Sequence, residues 1–273
     1  MIGSVTRDTT TISSDNVLSL CEDRTGTMWI GTSAGLNRMA QGENAFIRYR
    51  YNPDNPTGLN NDVISCLRED RRGVIWIGTL AGLNRYDPKP DTITRCRYDP
   101  KDPQTFASDV VFDIYEDSKA TLWVATFHLG LWRYDKTTDR FFRYAHDPSD
   151  AHSLSEDRIS CLFEDRSGVM WMGTYRRGLN RYDRRQEVFT RYQTAAAVYA
   201  VRESRNGELW MGTSRGGLLR YDRKGNRIAH YQHDPNNPAS LSTYGVLAIH
   251  EDRHGELWIG TGRGLNRYDA QRR

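Results

Sequence analysis

The sequence contains few cysteines, few lysines and no long apolar segments. Its 273 residues include 4 cysteines, and none of them forms a C-x-x-C pair, so we expect free thiols rather than disulfides or a zinc site. No apolar run approaches the ~18 residues that span a bilayer. The N-terminal segment also lacks the basic and apolar regions of a signal peptide. We therefore expect neither membrane insertion by this chain nor a leader within it.

Neither sign of charge dominates the composition. The 38 basic and 35 acidic residues leave a formal net charge of +3, which is too balanced to indicate nucleic-acid binding. Most of the basic residues are arginines, whose planar side chains suit pairing with carboxylates inside a fold or on a ligand. No helical periodicity persists over a long window, so the predicted fold class is all-β.

One short phrase, Trp-x-(Gly/Ala)-Thr, recurs six times at nearly regular intervals. The six copies begin at Trp29, Trp76, Trp123, Trp171, Trp210 and Trp258. A period of 40–50 residues with strand-like segments is typical of a β-propeller, in which each repeat forms one four-stranded blade. The sequence therefore predicts a six-bladed β-propeller, with residues 1–273 as a single domain.

The second repeat illustrates the predicted blade. Strand A is read at Val63–Leu67, strand B at Val74–Thr79, strand C at Leu83–Asp87 and strand D at Thr92–Tyr98. Turn residues separate the apolar segments, as expected for four antiparallel strands.

The two chain ends suggest how the ring closes. The last repeat stops after strand C, and residues 2–6 before the first repeat are enough for one short strand. We expect this N-terminal segment to supply the outer strand of the sixth blade, because closure removes exposed sheet edges.

A complete repeat reads E-D-R-x-G-x-x-W-I-G-T-x-x-G-L-N-R-Y-D, and it resembles the two-component regulator propeller repeat. The match is closest at Glu69–Asp87, Glu164–Asp183 and Glu251–Asp269. The resemblance implies a periplasmic sensor module of a hybrid histidine kinase or diguanylate cyclase. It also implies a small-molecule or oligosaccharide ligand, and a second propeller or a signalling domain as partner. Without a leader, a cytoplasmic chain or an excised fragment is the alternative.

The loops between strands B and C differ most from blade to blade, so we look for a ligand site there. They carry arginines, which grip carboxylates, and aromatic rings, which stack on sugars. The candidate residues on these loops are Phe127, His128, Tyr175, Arg176, Arg177, Arg215 and Arg263. The pattern favours an acidic saccharide or another anionic ligand.

Internal salt bridges are the competing interpretation of these arginines. Four aspartates enter the inner strands at the same face and would neutralise the arginines within the protein: Asp15, Asp62, Asp109 and Asp157. Asp113 is a further candidate, because it is the one carboxylate in an inner-strand column of small residues. It either contacts a ligand or pairs with a neighbouring arginine.

The sequence holds no convincing catalytic group. His250-Glu251-Asp252-Arg253-His254 has the H-E-x-x-H form of zinc proteases, but that chemistry needs a helix and this segment is predicted to leave a strand for a turn. We expect no metal, no cofactor and no catalysis. A protein-interaction scaffold is the first alternative to a sensor, and a streptogramin-type lyase is the second.

Overall fold

The computed structural model describes residues 5–7, 10–55, 57–107, 109–194, 196–222 and 227–269. Regular structure in these ranges consists of twenty-four β-strands. They form six antiparallel sheets, one for each repeat, and neighbouring strands within a sheet follow one another along the chain except at the first strand. The predicted fold class, an all-β six-bladed β-propeller, is confirmed.

Blades 1 to 3 belong to one compact unit, Met1–Tyr144. Blade 1 consists of β1 (Val5–Arg7), β2 (Val17–Glu22), β3 (Met28–Thr32), β4 (Gly35–Met39) and β5 (Ile47–Tyr49). Blade 2 consists of β6 (Ile64–Glu69), β7 (Ile75–Thr79), β8 (Gly82–Asp87) and β9 (Thr92–Arg95). Blade 3 consists of β10 (Val111–Glu116), β11 (Leu122–Thr126), β12 (Leu131–Asp135) and β13 (Arg140–Tyr144).

Blades 4 to 6 belong to a second compact unit, Ala145–Arg273. Blade 4 consists of β14 (Ile159–Glu164), β15 (Met170–Thr174), β16 (Leu179–Asp183) and β17 (Val188–Tyr192). Blade 5 consists of β18 (Val198–Glu203), β19 (Leu209–Thr213), β20 (Leu218–Asp222) and β21 (Arg227–Tyr231). Blade 6 consists of β22 (Val246–Glu251), β23 (Leu257–Thr261) and β24 (Gly264–Tyr268). That residues 1–273 act as one domain stays a prediction.

The expected role of the N-terminal strand is wrong. Strand β1 does not extend blade 6; it pairs antiparallel with β5 and becomes the fifth strand of blade 1, with Val5 opposite Tyr49. Residues 2–4 of the predicted segment lie outside the described part of the chain. The physical reason is local: β5 offers a free edge close in sequence, and pairing there closes a shorter loop. Blade 6 has three strands in the described residues.

A buried aspartate organises the turn between strands A and B. In blade 2, Asp70 accepts hydrogen bonds from the amides of Arg72 (2.8 Å) and Val74 (3.1 Å) and from the indole of Trp76 (3.1 Å). Gly73 completes the turn at φ +84°, where a side chain would be strained. The aspartate thus joins the turn to the tryptophan that follows it.

In blades 1, 2 and 5 the repeated tryptophan packs on a tyrosine of the next blade. The Trp29 ring lies 4.7 Å from Tyr86, the Trp76 ring 5.0 Å from Tyr134, and in the second unit the Trp210 ring 4.9 Å from Tyr268. Aromatic pairs at such distances add about 0.5–1.5 kcal/mol beyond the area they bury. The repeated tryptophan is therefore structural, as its recurrence in every repeat predicts.

The arginine of strand C forms polar contacts with the next blade or within its own blade. Arg38 donates to the Tyr86 hydroxyl at 2.9 Å and lies 3.3 Å from Asp91 of the next blade. Arg85 lies 2.9 Å from Asp139 of the blade after it. Arg267, in blade 6, instead pairs with Glu256 of its own blade at 3.2 Å. At these three positions the strand C arginine therefore pairs with an acid of the same or the next blade.

The turn aspartates differ in burial, and this difference predicts unequal costs of removing them. Asp70 is buried and also lies 3.3 Å from the amine of Lys136. Asp70→Ala leaves the buried indole of Trp76 and two partly buried amides without their acceptor, while Lys136 keeps its contact with Glu116, so we expect a loss of about 1–3 kcal/mol in the free energy of unfolding. Asp252→Ala is the matched control, because it removes the same carboxylate from blade 6, where water reaches the turn. We expect a smaller loss in the free energy of unfolding for this variant. Urea denaturation measures both, and equal losses would contradict the argument.

The same turn predicts sensitivity to acid. The indole hydrogen bond from Trp258, at 3.0 Å, and the amides of His254 and Glu256 lower the pKa of Asp252 to about 2. Because the unfolded-state pKa is about 3.9, the stabilisation is complete above about pH 4 and is lost as the pH falls through about 2. We expect the unfolding free energy of Asp252→Ala to fall less steeply over this interval than that of the parent chain. Parallel slopes in urea denaturation between pH 2 and 4 would refute this.

Candidate functional site

The B–C loops and the D–A connections lie at the same end of each blade. This follows from the antiparallel order of the four strands, in which strand B ends where strand A begins. The A–B and C–D turns lie at the opposite end. The structure describes all seven candidate loop residues, and each of them is on the B–C loop of its blade.

A β-bulge alters the side-chain pattern at this end of every inner strand. In β10, Val111 lies opposite Thr126 and Asp113 opposite Ala125, so Phe112 has no partner of its own on β11. The bulge recurs at the same place in all six blades. A bulge changes the direction of one side chain on its strand. The residues at this position in blades 1 to 6 are Leu18, Ser65, Phe112, Ser160, Tyr199 and Leu247.

In the first unit, the bulge residue and the B–C loop of blade 3 form an aromatic cluster. The rings of Phe112 and Phe127 are 5.2 Å apart in an edge-to-face contact, and Phe127 lies 4.5 Å from the ring of His128. Nδ1 of His128 lies 3.1 Å from a carboxylate oxygen of Asp109, and the amides of His128 and Leu129 donate to the other oxygen. Asp109 therefore fixes both the loop and the orientation of the imidazole.

In the second unit, a pair of tyrosines lies at the loop end of blades 4 and 5. The ring of Tyr175, on the blade 4 loop, is 6.2 Å from that of Tyr199, the bulge residue of blade 5. Burial, followed by the hydrogen bond with Tyr175, raises the pKa of Tyr199, whereas the positive charge of Arg215 opposes the rise. Tyr199 thus links Tyr175 with Arg215, on the loop of blade 5.

The backbone of the blade 4 loop is held by one carboxylate, which leaves its two arginine side chains in solvent. The amides of Arg176 and Arg177 both donate to the same oxygen of Glu156, the second at 3.0 Å. Both side chains are exposed, and within the described residues neither guanidinium makes a hydrogen bond or an ion pair. The same holds for Arg263 of blade 6, where only the amide bonds, to the Thr261 hydroxyl at 3.2 Å.

The aspartates that were expected to compete for these arginines have other partners. Asp62 accepts from the amide of Tyr51 and Asp157 from that of His146, each at 2.7 Å. Asp109 holds the blade 3 loop, and Asp15 accepts the Val17 amide through its carbonyl oxygen. In the described part of the chain none of the four forms an ion pair with Arg176, Arg177, Arg215 or Arg263. Their role is to hold loops.

Asp113 is engaged within its own sheet. It lies opposite Ala125 on β11, and its carboxylate accepts the amide of Ile114 at 2.8 Å. Burial first, and then the negative charge of Asp113, raise the pKa of the Cys66 thiol in blade 2. The column that contains Asp113 packs across the sheet from the Trp-x-Gly-Thr glycine, which explains why its other members are small.

Two aromatic residues of this end were missed by the sequence analysis, Phe112 and Tyr199. Alternation along a regular strand does not place them beside the loops, because the bulge that does so has no sequence signature of its own. The available signal was variation: this column holds leucine, serine, phenylalanine and tyrosine, whereas the column before it holds only valine and isoleucine.

The catalytic and metal patterns do not assemble into a centre. His250 is on β22 and His254 in the turn that follows it, as predicted for the H-E-x-x-H segment. Across the described ranges, no group of three histidine, cysteine or acidic side chains is placed to hold a metal ion. None of the four cysteines, all of which lie in the described ranges, forms a disulfide. No helix long and apolar enough to cross a membrane occurs among the described residues.

Four stretches of the chain match the family model of the two-component regulator propeller, at residues 11–34, 58–81, 153–176 and 240–263. Each stretch runs from the D–A connection through strands A and B to the B–C loop. The resemblance seen in the sequence is thus confirmed for four of the six repeats, which match the model of the two-component regulator propeller. No curated protein matches it in sequence.

Solved structures similar to this chain include sensor ectodomains. One is named as the extracellular domain of a hybrid two component system from B. thetaiotaomicron, with 25% identity, a TM-score of 0.56, and coverage of 94% of this chain and 40% of the other. A second, the extracellular domain of a one component system from the same organism, has 22% identity, a TM-score of 0.75, and coverage of 98% and 37%. The chain thus spans about two fifths of the length of these relatives.

A propeller enzyme shares the fold as well. Virginiamycin B lyase from Staphylococcus aureus is 12% identical, with a TM-score of 0.67 and coverage of 99% of this chain and 89% of the lyase. An identity this low shows the fold alone. The fold is therefore compatible with both a sensor and a lyase, and the expectation that the chain is not an enzyme stays a prediction.

The carboxylate of Glu156 is expected to control the mobility of the arginine loop. Glu156→Ala removes the acceptor of two amides, and a net loss of about 1 kcal/mol raises local opening roughly fivefold. Hydrogen exchange of the peptide that covers Arg176 and Arg177 should quicken accordingly. The Ser214 amide of the blade 5 loop, which bonds to the Ala197 carbonyl at 2.9 Å, is the internal control and should not change. Unchanged exchange in the blade 4 loop would mean that Glu156 does not hold it.

Proposed function

We propose that this chain is a ligand-binding module of a two-component sensor and that it takes an acidic saccharide at the loop end of blades 4 and 5. The observation that carries the proposal is the combination of two tyrosine rings in tilted contact, Tyr175 and Tyr199, with the exposed, unpaired guanidinium groups of Arg176 and Arg177. Arg215 adds a third positive charge beside Tyr199.

The chemistry of this arrangement favours a sugar that carries carboxylates. Tyrosine rings offer apolar faces to a pyranose ring, while a guanidinium group binds a carboxylate through two parallel hydrogen bonds. Glu156 holds the loop backbone through amides, so the positive charge of the side chains is not cancelled by a direct pair. A preordered loop also lowers the entropy cost of binding.

The match of four repeats to the two-component regulator propeller supports a sensory role and a periplasmic location. The named relatives are extracellular domains of two-component and one-component systems. A module of this kind passes the bound state of its ligand to another domain or to a second propeller, and it needs no catalysis, metal or cofactor of its own. The cluster of Phe127, His128 and Phe112 in blade 3 is a second aromatic surface at the loop end of its own unit.

The first test is a thermal-shift measurement with tetragalacturonate and with a neutral galactose tetramer of the same length. A ligand that binds only the folded chain adds about 2.7 kcal/mol at 100 times its dissociation constant, which is several degrees for a chain of this size. We expect the acidic oligomer to raise the midpoint, and the double variant Arg176→Ala/Arg177→Ala to abolish the shift.

Arg185→Ala is the matched control, because Arg185 is an exposed arginine of the same blade on the C–D turn, at the opposite end. It should retain the full shift. An equal shift with the neutral tetramer would remove the acidic specificity, and no shift with either oligomer would contradict the site. Conversion of the oligomer into product would replace the binding module with a lyase.

A further inference from the structure

Blade 5 has a much shorter connection at its loop end than blades 2, 3, 4 and 6. Only residues 193–197 lie between β17 and β18. The corresponding connections into blades 2, 3, 4 and 6 span residues 50–63, 96–110, 145–158 and 232–245. The loop end of blade 5 therefore carries at least nine residues fewer, and the missing length leaves space beside its B–C loop.

The side chains that hold a long connection are also replaced in blade 5. In blade 4, Asn180 accepts an amide of the connection at 2.9 Å, and Arg191 donates to one of its carbonyl oxygens at 3.0 Å. The paired positions on strands C and D of blade 5 hold Leu219 and His230. Nε2 of His230 instead lies 2.6 Å from the carbonyl oxygen of Gly216, on the B–C loop. The short connection is thus matched by changes on two strands of the same blade.

Blades 5 and 6 also lack an aspartate that the other four blades carry before the inner strand. The residue two positions before strand A is Ala196 in blade 5 and Tyr244 in blade 6. In blades 1 to 4 this residue is Asp15, Asp62, Asp109 and Asp157. The absence of a carboxylate at this position favours an anionic ligand at blades 5 and 6, because like charges in contact oppose binding.

The B–C loop of blade 5 lies between the connections of blades 5 and 6. The Ser214 amide donates to the blade 5 connection and the Gly217 amide to the carbonyl oxygen of Tyr244, each at 2.9 Å. Arg215 lies between these two contacts, and its side chain is exposed. The Tyr244 side chain is 48% exposed, and its ring makes an edge-to-face contact with His233 at 5.1 Å. An aromatic ring is therefore held on the blade 6 side of the Arg215 loop.

We propose that the saccharide site continues from blade 4 across the loop end of blade 5 to Tyr244, so that it takes an oligouronate of more than two units. The inference rests on the proposed function, because it extends the same site. The blade 4 loop binds one end of the chain, Arg215 binds a carboxylate beyond it, and the Tyr244 ring stacks on a further sugar. The short connection and the missing aspartates leave this path open and free of negative charge.

The test compares digalacturonate with tetragalacturonate by isothermal titration calorimetry. A tetramer offers three overlapping positions to a two-unit site, which alone gives an affinity gain of about threefold. We expect a gain of at least about thirtyfold in the parent chain. Tyr244→Ala should lower the affinity for the tetramer about five- to tenfold and leave that for the dimer unchanged. The substitution keeps the hydrogen bond from Gly217, because the acceptor is a backbone carbonyl.

Two variants are the controls. Tyr244→Phe retains the ring and should bind both oligomers like the parent chain. Tyr98→Ala removes an exposed tyrosine from the connection into blade 3 and should also leave both affinities unchanged. Far-ultraviolet circular dichroism establishes that every variant is folded.

The dimer separates this inference from the proposed function. Dimer binding that is lost in Arg176→Ala/Arg177→Ala, together with only the threefold statistical gain for the tetramer, would overturn the extended site and leave the blade 4 site standing. An unchanged tetramer affinity in Tyr244→Ala, or an equal loss for both oligomers, would overturn the role of Tyr244. Binding of neither oligomer to the parent chain would contradict the proposed function and this extension with it.

Discussion

The close approach of successive blades at one glycine is the constraint on which the rest of the structure depends. At Gly78 even a methyl group would lie within 2.3 Å of the Cys66 sulfur and 2.8 Å of Val111, so the strand B position must be bare for the next inner strand to pack. The tryptophan beside it can then reach the tyrosine of the next blade, and the strand C arginine can reach an acid there. Because each contact is made to a neighbour, a blade is complete only when another blade follows it.

The same constraint separates the structural residues from the candidates for function. The repeat phrase supplies the residues that fold and pack the blades: tryptophan, glycine, aspartate and arginine. This structural role explains why they recur in the repeats. The loop end is different, because nothing in the packing prescribes its side chains. Tyr175, Tyr199 and the blade 4 arginines lie there, on a loop whose backbone is held by Glu156. A rigid scaffold with variable loops is how propellers and other repeat folds present a binding surface.

The sequence alone determined the number of blades, their all-β character, the order of strands and the structural role of the repeat phrase, because each depends on contacts that recur with the period. It also placed the variable loops and their arginines. Only the tertiary structure decided the pairing of β1 with β5, since an isolated strand carries no record of which free edge it will join. It also decided that Phe112 and Tyr199 reach the loops, because a bulge redirects them without changing the pattern of residues. The tertiary structure also showed that aspartates at the loop end accept backbone amides instead of pairing with the arginines. The positions of charges along a sequence do not reveal this hydrogen-bond geometry.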